Sequence, residues 1–252
     1  MTEIALVDAF ATRPFEGNQA AVILLDEPAD ADWMQSLAAE LGYGATCFLH
    51  GRDLRWFAPA VELTFCGHGT LATAHLLWER GATDDELEFA TASGRLVAHR
   101  RGSQIEIDLP VQTTEPAVVP GLAEALGAEP VAVGRAPLDL VAELASADVV
   151  RNLAPDLAAI ARIDARGVIV TAAGDDGEHA IVSRFFGPAM GIPEDSATGS
   201  AHCALAAWWA PRLGHTFRAR QASARGATID VELAGDRVRL RAGAVTVLRG
   251  EV

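Results

Sequence analysis

The chain contains no lysine; all 20 of its Lys+Arg residues are arginine. Without a lysine side-chain amine, Schiff-base catalysis through lysine is excluded. Cysteine is almost as scarce, with Cys47, Cys66 and Cys203 making up the whole set. Three widely spaced thiols do not form a disulfide framework and suit a reducing compartment, so a cytoplasmic location is expected. Long hydrophobic runs are also missing. The most apolar stretches, near residues 71–78 and 201–210, fall short of the ~18 residues a membrane span needs. The start, Met-Thr-Glu-Ile-Ala-Leu-Val-Asp, has no basic region before an apolar one, so no secretory signal is read there. Positive charge is in deficit. The formal net charge of −14 repels nucleic acid and anionic membrane, and neither is expected as a partner.

The residues that are present describe a globular protein, 50% hydrophobic and 21% charged. A length of 252 residues suits one large or two ordinary domains, and an internal repeat favours two. Residues 184–205 read Arg, two aromatics, a small residue, Pro, an acidic residue, and then a Gly-containing turn opening an apolar helix. Residues 55–71 run through the same order. A period near half the chain is too long for a solenoid and fits two fused copies of one domain. Each copy would bring a helix N-terminus to a site, where unpaired backbone N–H groups and the helix dipole favour an anion. Gly67 and Gly199 would let that ligand approach the backbone, and a small carboxylate is the expected guest.

The rest of the pattern is mostly β. Runs at 4–9 and 20–25 flank a turn cluster at 13–18. Asp30 is suited to cap a helix over 31–41, which Gly42-Tyr43-Gly44 would stop, and short strands follow at 46–49 and 54–57. Strands are expected at 86–90, 95–99 and 105–109, and 110–120 reads as a Pro-bearing linker. The second half repeats the order: strands near 131–133 and 139–144, helical turns across 147–162, and strands at 167–171 and 179–186. Beyond the second apolar helix come strands at 218–222 and 228–233 and a run over 238–248 broken at 242–243. The fold class is α+β: two pseudo-symmetric halves, each a mostly antiparallel rolled sheet around a central helix. The halves are placed at 1–112, with its helix near 69–80, and 113–252, with its helix near 200–213. The final strand is left free to pack back on the first half.

Four motifs carry a resemblance. Gly17-Asn18-Gln19-Ala20-Ala21-Val22, Arg55-x-Phe57-x-Pro59-x-x-Glu62, Cys66-Gly67-His68-Gly69-Thr70 and Glu194-Asp195-x-x-Thr198-Gly199-Ser200-Ala201 together resemble the phenazine-biosynthesis isomerase (PhzF-like) family. The resemblance implies a diaminopimelate epimerase-like fold and cofactor-free proton transfer on a small carboxylate, commonly in a homodimer. It implies catalytic roles for Asp195, His68 and Ser200, with substrate contacts at Asn18, Gly67, Gly69, Thr198 and Gly199. The chain departs from the family where Ser-Glu-Thr is usual and the Glu is the principal acid/base. It has Gly44-Ala45-Thr46 there, and the methyl group of Ala45 cannot transfer a proton.

Alternatives stay open. Asp195 either orders its loop or exchanges a proton, and Glu62 is expected to pair with Arg55 or to order the turn. His75 and His202, on apolar helices, are read as satisfied structural histidines. Cys66 before Gly67, opposite Thr198, also fits a Cys/Thr racemase or dehydratase, and the loss of Glu at position 45 fits a non-catalytic, ligand-binding or interaction descendant. The spacing of Cys66, His68, His75, His202 and Cys203 matches no compact zinc motif, so no metal is expected.

Overall fold

The computed structural model describes residues 2–251, and the chain divides into two units, Met1–Asp108 with Arg241–Val252 and Leu109–Leu240. The first unit starts with β1 (Glu3–Ala9), β2 (Asn18–Leu25), α1 (Ala31–Leu41), β3 (Ala45–His50), β4 (Asp53–Ala58) and β5 (Val61–Leu63). It continues through α2 (Gly67–Glu79), β6 (Glu86–Thr91) and β7 (Gly94–Arg101), and β8 (Gln104–Pro110) carries the chain out of it. The second unit holds β9 (Glu115–Pro116), α3 (Leu122–Leu126), β10 (Ala132–Arg135), β11 (Asp139–Glu143), α4 (Ala147–Asn152), α5 (Leu157–Ile160), β12 (Gly167–Ala173) and β13 (Ile181–Gly187). A 3-10 turn, Pro188–Met190, leads to β14 (Ile192–Asp195), α6 (Gly199–Leu213), β15 (Thr216–Gln221) and β16 (Ala227–Ala234). After β17 (Arg237–Ala242) the chain is back in the first unit with β18 (Ala244–Glu251).

Local chemistry sets these boundaries. Asp30 accepts a hydrogen bond from the Asp32 N–H at 2.8 Å, and Gly42 closes α1 in the left-handed conformation at φ 70°, its N–H donating to Ala38 O. Met34 and Ala38 on the inner face of α1 pack with Phe48 and Phe57. The helical turns expected across 147–162 are two short helices. Pro155 forces an extended backbone before it, and Leu153 already has ψ 131°. The polar stretch 110–120 is more than a linker, because Glu115–Pro116 pairs with β10.

The two units repeat one pairing scheme. In the first, β1–β2 is antiparallel, β2–β3 parallel, β3–β4 and β4–β5 antiparallel, β4–β6 parallel and β6–β7 antiparallel. In the second, β10–β11, β11–β12, β12–β13, β13–β14, β13–β15 and β15–β16 follow with the same senses in the same order. The parallel pairs fall where helices intervene, α1 and α2 in one unit and α4 with α5, then α6, in the other, since parallel neighbours need a crossover. Each first strand also gains an outer partner: β18 pairs with β1, and β9 with β10.

The central helices α2 and α6 are apolar nearly all round, so each must be covered on most sides. Leu71, Ala72, Ala74 and Leu76 of α2 are buried against β1, β2, β3, β7 and β18. Ala201, Ala204, Leu205 and Trp209 of α6 are buried, and that helix packs on β11, β15 and β16. The architecture is therefore α+β, a mostly antiparallel mixed sheet with a buried helix in each unit.

The repeated Arg-aromatic-Pro-acid signature is a hairpin clamp. Arg55 grips Glu62 with two hydrogen bonds, 2.7 and 2.8 Å, and lies over the Phe57 ring at 5.1 Å. Arg184 grips Glu194 at 2.7 and 2.9 Å and lies over Phe186 at 4.8 Å. A bidentate fork and a ring face on one guanidinium hold β4 to β5 and β13 to β14, which fixes the approach to each central helix. Neither β5 nor β14 was expected, because Val61–Leu63 and Ile192–Asp195 are too short to show an alternating pattern.

Candidate functional site

In the first unit the candidate residues gather at the start of α2. Cys66 is its N-cap, in extended conformation (φ −150°, ψ 97°), and its Sγ accepts from the Gly69 N–H at 3.3 Å. The Thr70 N–H and hydroxyl both donate to Cys66 O, at 3.0 and 2.8 Å. The half-buried His68 ring lies against the same sulfur, with Nδ1 3.6 Å and Nε2 3.8 Å away. Gly67, His68 and Gly69 thus form the first turn behind a sulfur cap. Trp56 Nε1 and Thr46 Oγ1 are buried with no hydrogen-bond partner among the described residues.

Gly69 is dictated by close packing. A Cβ there would lie 2.8 Å from Cys47 Sγ, 2.9 Å from Cys66 Sγ and 2.9 Å from Trp56 Cδ1. Gly69→Ala is therefore expected to cost about 1–3 kcal/mol of stability, measured by urea unfolding, as overpacking a tight interior does. Adding Cys47→Ala should recover part of that loss, and no recovery would show that the sulfur is not the obstacle. Burial pushes the Cys47 thiol well above its ordinary range, and the neighbouring Cys66 adds to the effect.

Ala45 is the first residue of β3, paired with Ala20 of β2, and is fully buried. Along a strand it shares a face with Cys47, which meets the start of α2. Asn18, nearly buried, opens β2 opposite Ala9.

In the second unit a polar network surrounds the start of α6. Thr198 is the N-cap residue, and its hydroxyl donates to Asp195 Oδ2 at 2.6 Å. Gln221, buried on β15, ties the loop together. Its Oε1 accepts from the Thr198 N–H at 2.8 Å, and its Nε2 donates to Asp195 O at 2.8 Å and to Thr198 Oγ1 at 3.1 Å. Gly199 and Ser200 begin the helix, and Ser200 Oγ accepts from Arg166 Nη2 at 2.8 Å. Arg166 is in turn gripped by the buried Asp139 through Nε at 2.9 Å and through Nη2.

Gln221, Arg166 and Asp139 were not singled out from the sequence. Asp139 opens β11 and Arg166 immediately precedes the neighbouring β12, 27 positions away, and Gln221 lies 23 beyond Thr198, so no local spacing marks them. The arrangement offers an anion the first-turn N–H groups of α6 and a serine hydroxyl, with a carboxylate beside them.

The expectation that His202 is satisfied needs correction. Its Nδ1 bonds Thr198 O at 2.8 Å, but its buried Nε2 has no partner among the described residues. Burial lowers its pKa to about 4. His75 is engaged, with Nε2 3.1 Å from Thr246 Oγ1. Among the described residues, no group of three or more His, Cys, Asp or Glu side chains could hold a metal ion, and no helix is long and apolar enough to cross a membrane.

The family model described as phenazine biosynthesis-like protein matches residues 7–250. The chain is 43% identical over 260 residues to an uncharacterized isomerase of Halalkalibacterium halodurans, covering 100% of this chain and 98% of that one. A crystal structure of a PhzF-family phenazine biosynthesis protein from Enterococcus faecalis superimposes with a TM-score of 0.93 at 35% identity, covering 100% and 98% of the two chains. A probable proline racemase from Agrobacterium radiobacter, solved with bound carbonate, shares the fold at a TM-score of 0.64 and 14% identity, covering 100% and 93%.

Proposed function

Because the chain belongs to the phenazine biosynthesis-like protein family, we propose that it is a PhzF-like isomerase or epimerase moving a proton on a small carboxylate without a cofactor. Asp195 is the principal proton-transfer group in this reading, assisted by His68 and Ser200. The observation that carries it is the Asp195–Thr198–Gln221 network, which holds a carboxylate in one geometry at the first turn of a buried helix. A general acid/base needs such placement before its proton affinity matters. The first-turn N–H groups, with Gly199 and Ser200, would anchor the carboxylate of the substrate, and His68 would relay or donate a proton. Asn18, Gly67, Gly69 and Thr198 complete the proposed binding set, and a homodimer belongs to the same proposal.

A second reading rests on the resemblance: it puts Ala45, a fully buried residue, at the position of the family's acid/base glutamate. Here the protein binds a carboxylate ligand or a partner and no longer catalyses. The Cys66/Thr198 racemase reading has less support, because the Thr198 hydroxyl is already engaged by Asp195 and Gln221.

The test is incorporation of solvent deuterium into a panel of small cyclic and amino-acid-like carboxylates, followed by mass spectrometry. Exchange with at least one substrate is expected from the natural protein. No exchange, together with ligand-induced thermal stabilisation, would favour the binding reading. If Ala45→Glu then gains exchange, the scaffold is intact and only the base was lost.

A further inference from the structure

The Arg166 side chain bonds Ser200 at the start of α6, and the family resemblance gives it no role. Among the described residues its Nε and Nη2 are bonded to Asp139 and Ser200, and Nη1 has no hydrogen-bond partner. The side chain is about a quarter exposed, at 26%, while Asp139 is fully buried, so the guanidinium is anchored from inside with one edge open. Its carbon also lies 5.6 Å from the centre of the Phe185 ring. Gly167 makes that stacking possible, since a Cβ there would fall 2.4 Å from Phe185 Cζ.

A hydroxyl has one donor and two acceptor sites, and Arg166 can only donate. The bond from Nη2 therefore occupies an acceptor site of Ser200. No acceptor for the Ser200 hydroxyl hydrogen is found among the described residues, although the residue is 8% exposed. A nearly buried O–H next to a guanidinium with one edge open places two donors side by side, a pattern from which an anion can accept.

The internal repeat sharpens this. Gly167 pairs with Asp139 at the start of the β11–β12 ladder, as Ala45 pairs with Ala20 at the start of β2–β3. Arg166 therefore stands in the second unit where Gly44 stands in the first, and Asp139 where Ala20 stands. One unit carries an ion pair at a place where the other has only small residues.

We infer that Arg166 is a ligand-binding residue of the α6 half-site: it fixes Ser200 as a donor and offers Nη1 to the same carboxylate. This rests on the reading of α6 as the carboxylate anchor. One carboxylate oxygen takes the Ser200 hydroxyl and the first-turn N–H groups, and the other takes Nη1. The site then takes an anion with two oxygens held apart in one plane, one on the Ser200 hydroxyl and the helix N–H groups and the other on a guanidinium nitrogen whose direction Asp139 fixes.

The probes are malonate and sulfate, titrated by calorimetry at constant ionic strength into the natural protein, Asp139→Asn, Asp139→Asn/Arg166→Gln and Arg166→Lys. The double variant avoids leaving a buried aspartate unpaired. Malonate affinity is expected to fall about tenfold or more in the double variant, because a charge-assisted bond is lost. Asp139→Asn alone should stay within about threefold of the natural protein, and Arg166→Lys should fall between the two. Equal affinity in the natural protein and the double variant overturns the inference and leaves the carboxylate reading standing. So does an equal loss in Asp139→Asn alone, which would make the role of Arg166 structural. Failure of the natural protein to bind either probe overturns both.

Discussion

Asp195→Asn is expected to lower solvent-deuterium exchange by about 10²–10⁴-fold, the usual share of a positioned acid/base group, with little change in stability. Stability should hold because Asn can still accept from the Thr198 hydroxyl, and the backbone oxygen of residue 195 stays bonded to Gln221. What disappears is the ability to gain and lose a proton. Gln221→Leu separates chemistry from placement. It removes three hydrogen bonds and strands the Thr198 N–H in the interior, so a stability loss of about 2–4 kcal/mol is expected along with weaker exchange. Measuring kcat and KM with urea unfolding on both variants decides the matter. If Asp195→Asn exchanges like the natural protein, Asp195 only orders its loop.

The second large effect is a loss of stability in mild acid that traces to one side chain. His202 is buried on α6 with its pKa lowered from 6.5 to about 4 by desolvation. The folded form therefore resists a proton that the unfolded chain accepts, and between those two values the unfolded state binds more protons. The contribution of His202 is complete above about pH 6.5 and drains away as pH falls to about 4, a total of about 3 kcal/mol. His202→Asn keeps a donor for Thr198 O and cannot titrate in this window. Urea midpoints taken from pH 7.5 to 4 should fall more steeply for the natural protein than for the variant. Parallel curves would show that the ring is already hydrated or paired.

The sequence was most readable where one residue decides an outcome alone. Asp30 and Gly42 bracket α1 over Ala31–Leu41 as expected, since a cap side chain and a left-handed glycine act within one turn. The buried helices α2 and α6 were visible as apolar runs, and the break at Gly243 between β17 and β18 was also visible. The pairing of Arg55 with Glu62 was legible because the two stand only seven positions apart on one hairpin. The contacts that shape the α6 site were not. Arg166 meets Ser200 across 34 residues, and an arginine before a glycine looks like any surface turn until Asp139 and Phe185 are placed beside it. Likewise, nothing in Ala201-His202-Cys203 signals that one imidazole nitrogen would have no partner among the described residues.

The outer strands of the two units have a consequence for biosynthesis. Glu3 lies opposite Glu251 and Ala9 opposite Ala244, so one flank of β1 is completed by residues translated more than two hundred positions later. During translation the first unit can pair β1 only with β2. Its other edge stays open, with unpaired N–H and C=O groups that invite another chain. The second unit has no such wait, since β9 is made before β10. Until β18 leaves the ribosome, that edge of a nascent chain is open to pairing with another chain.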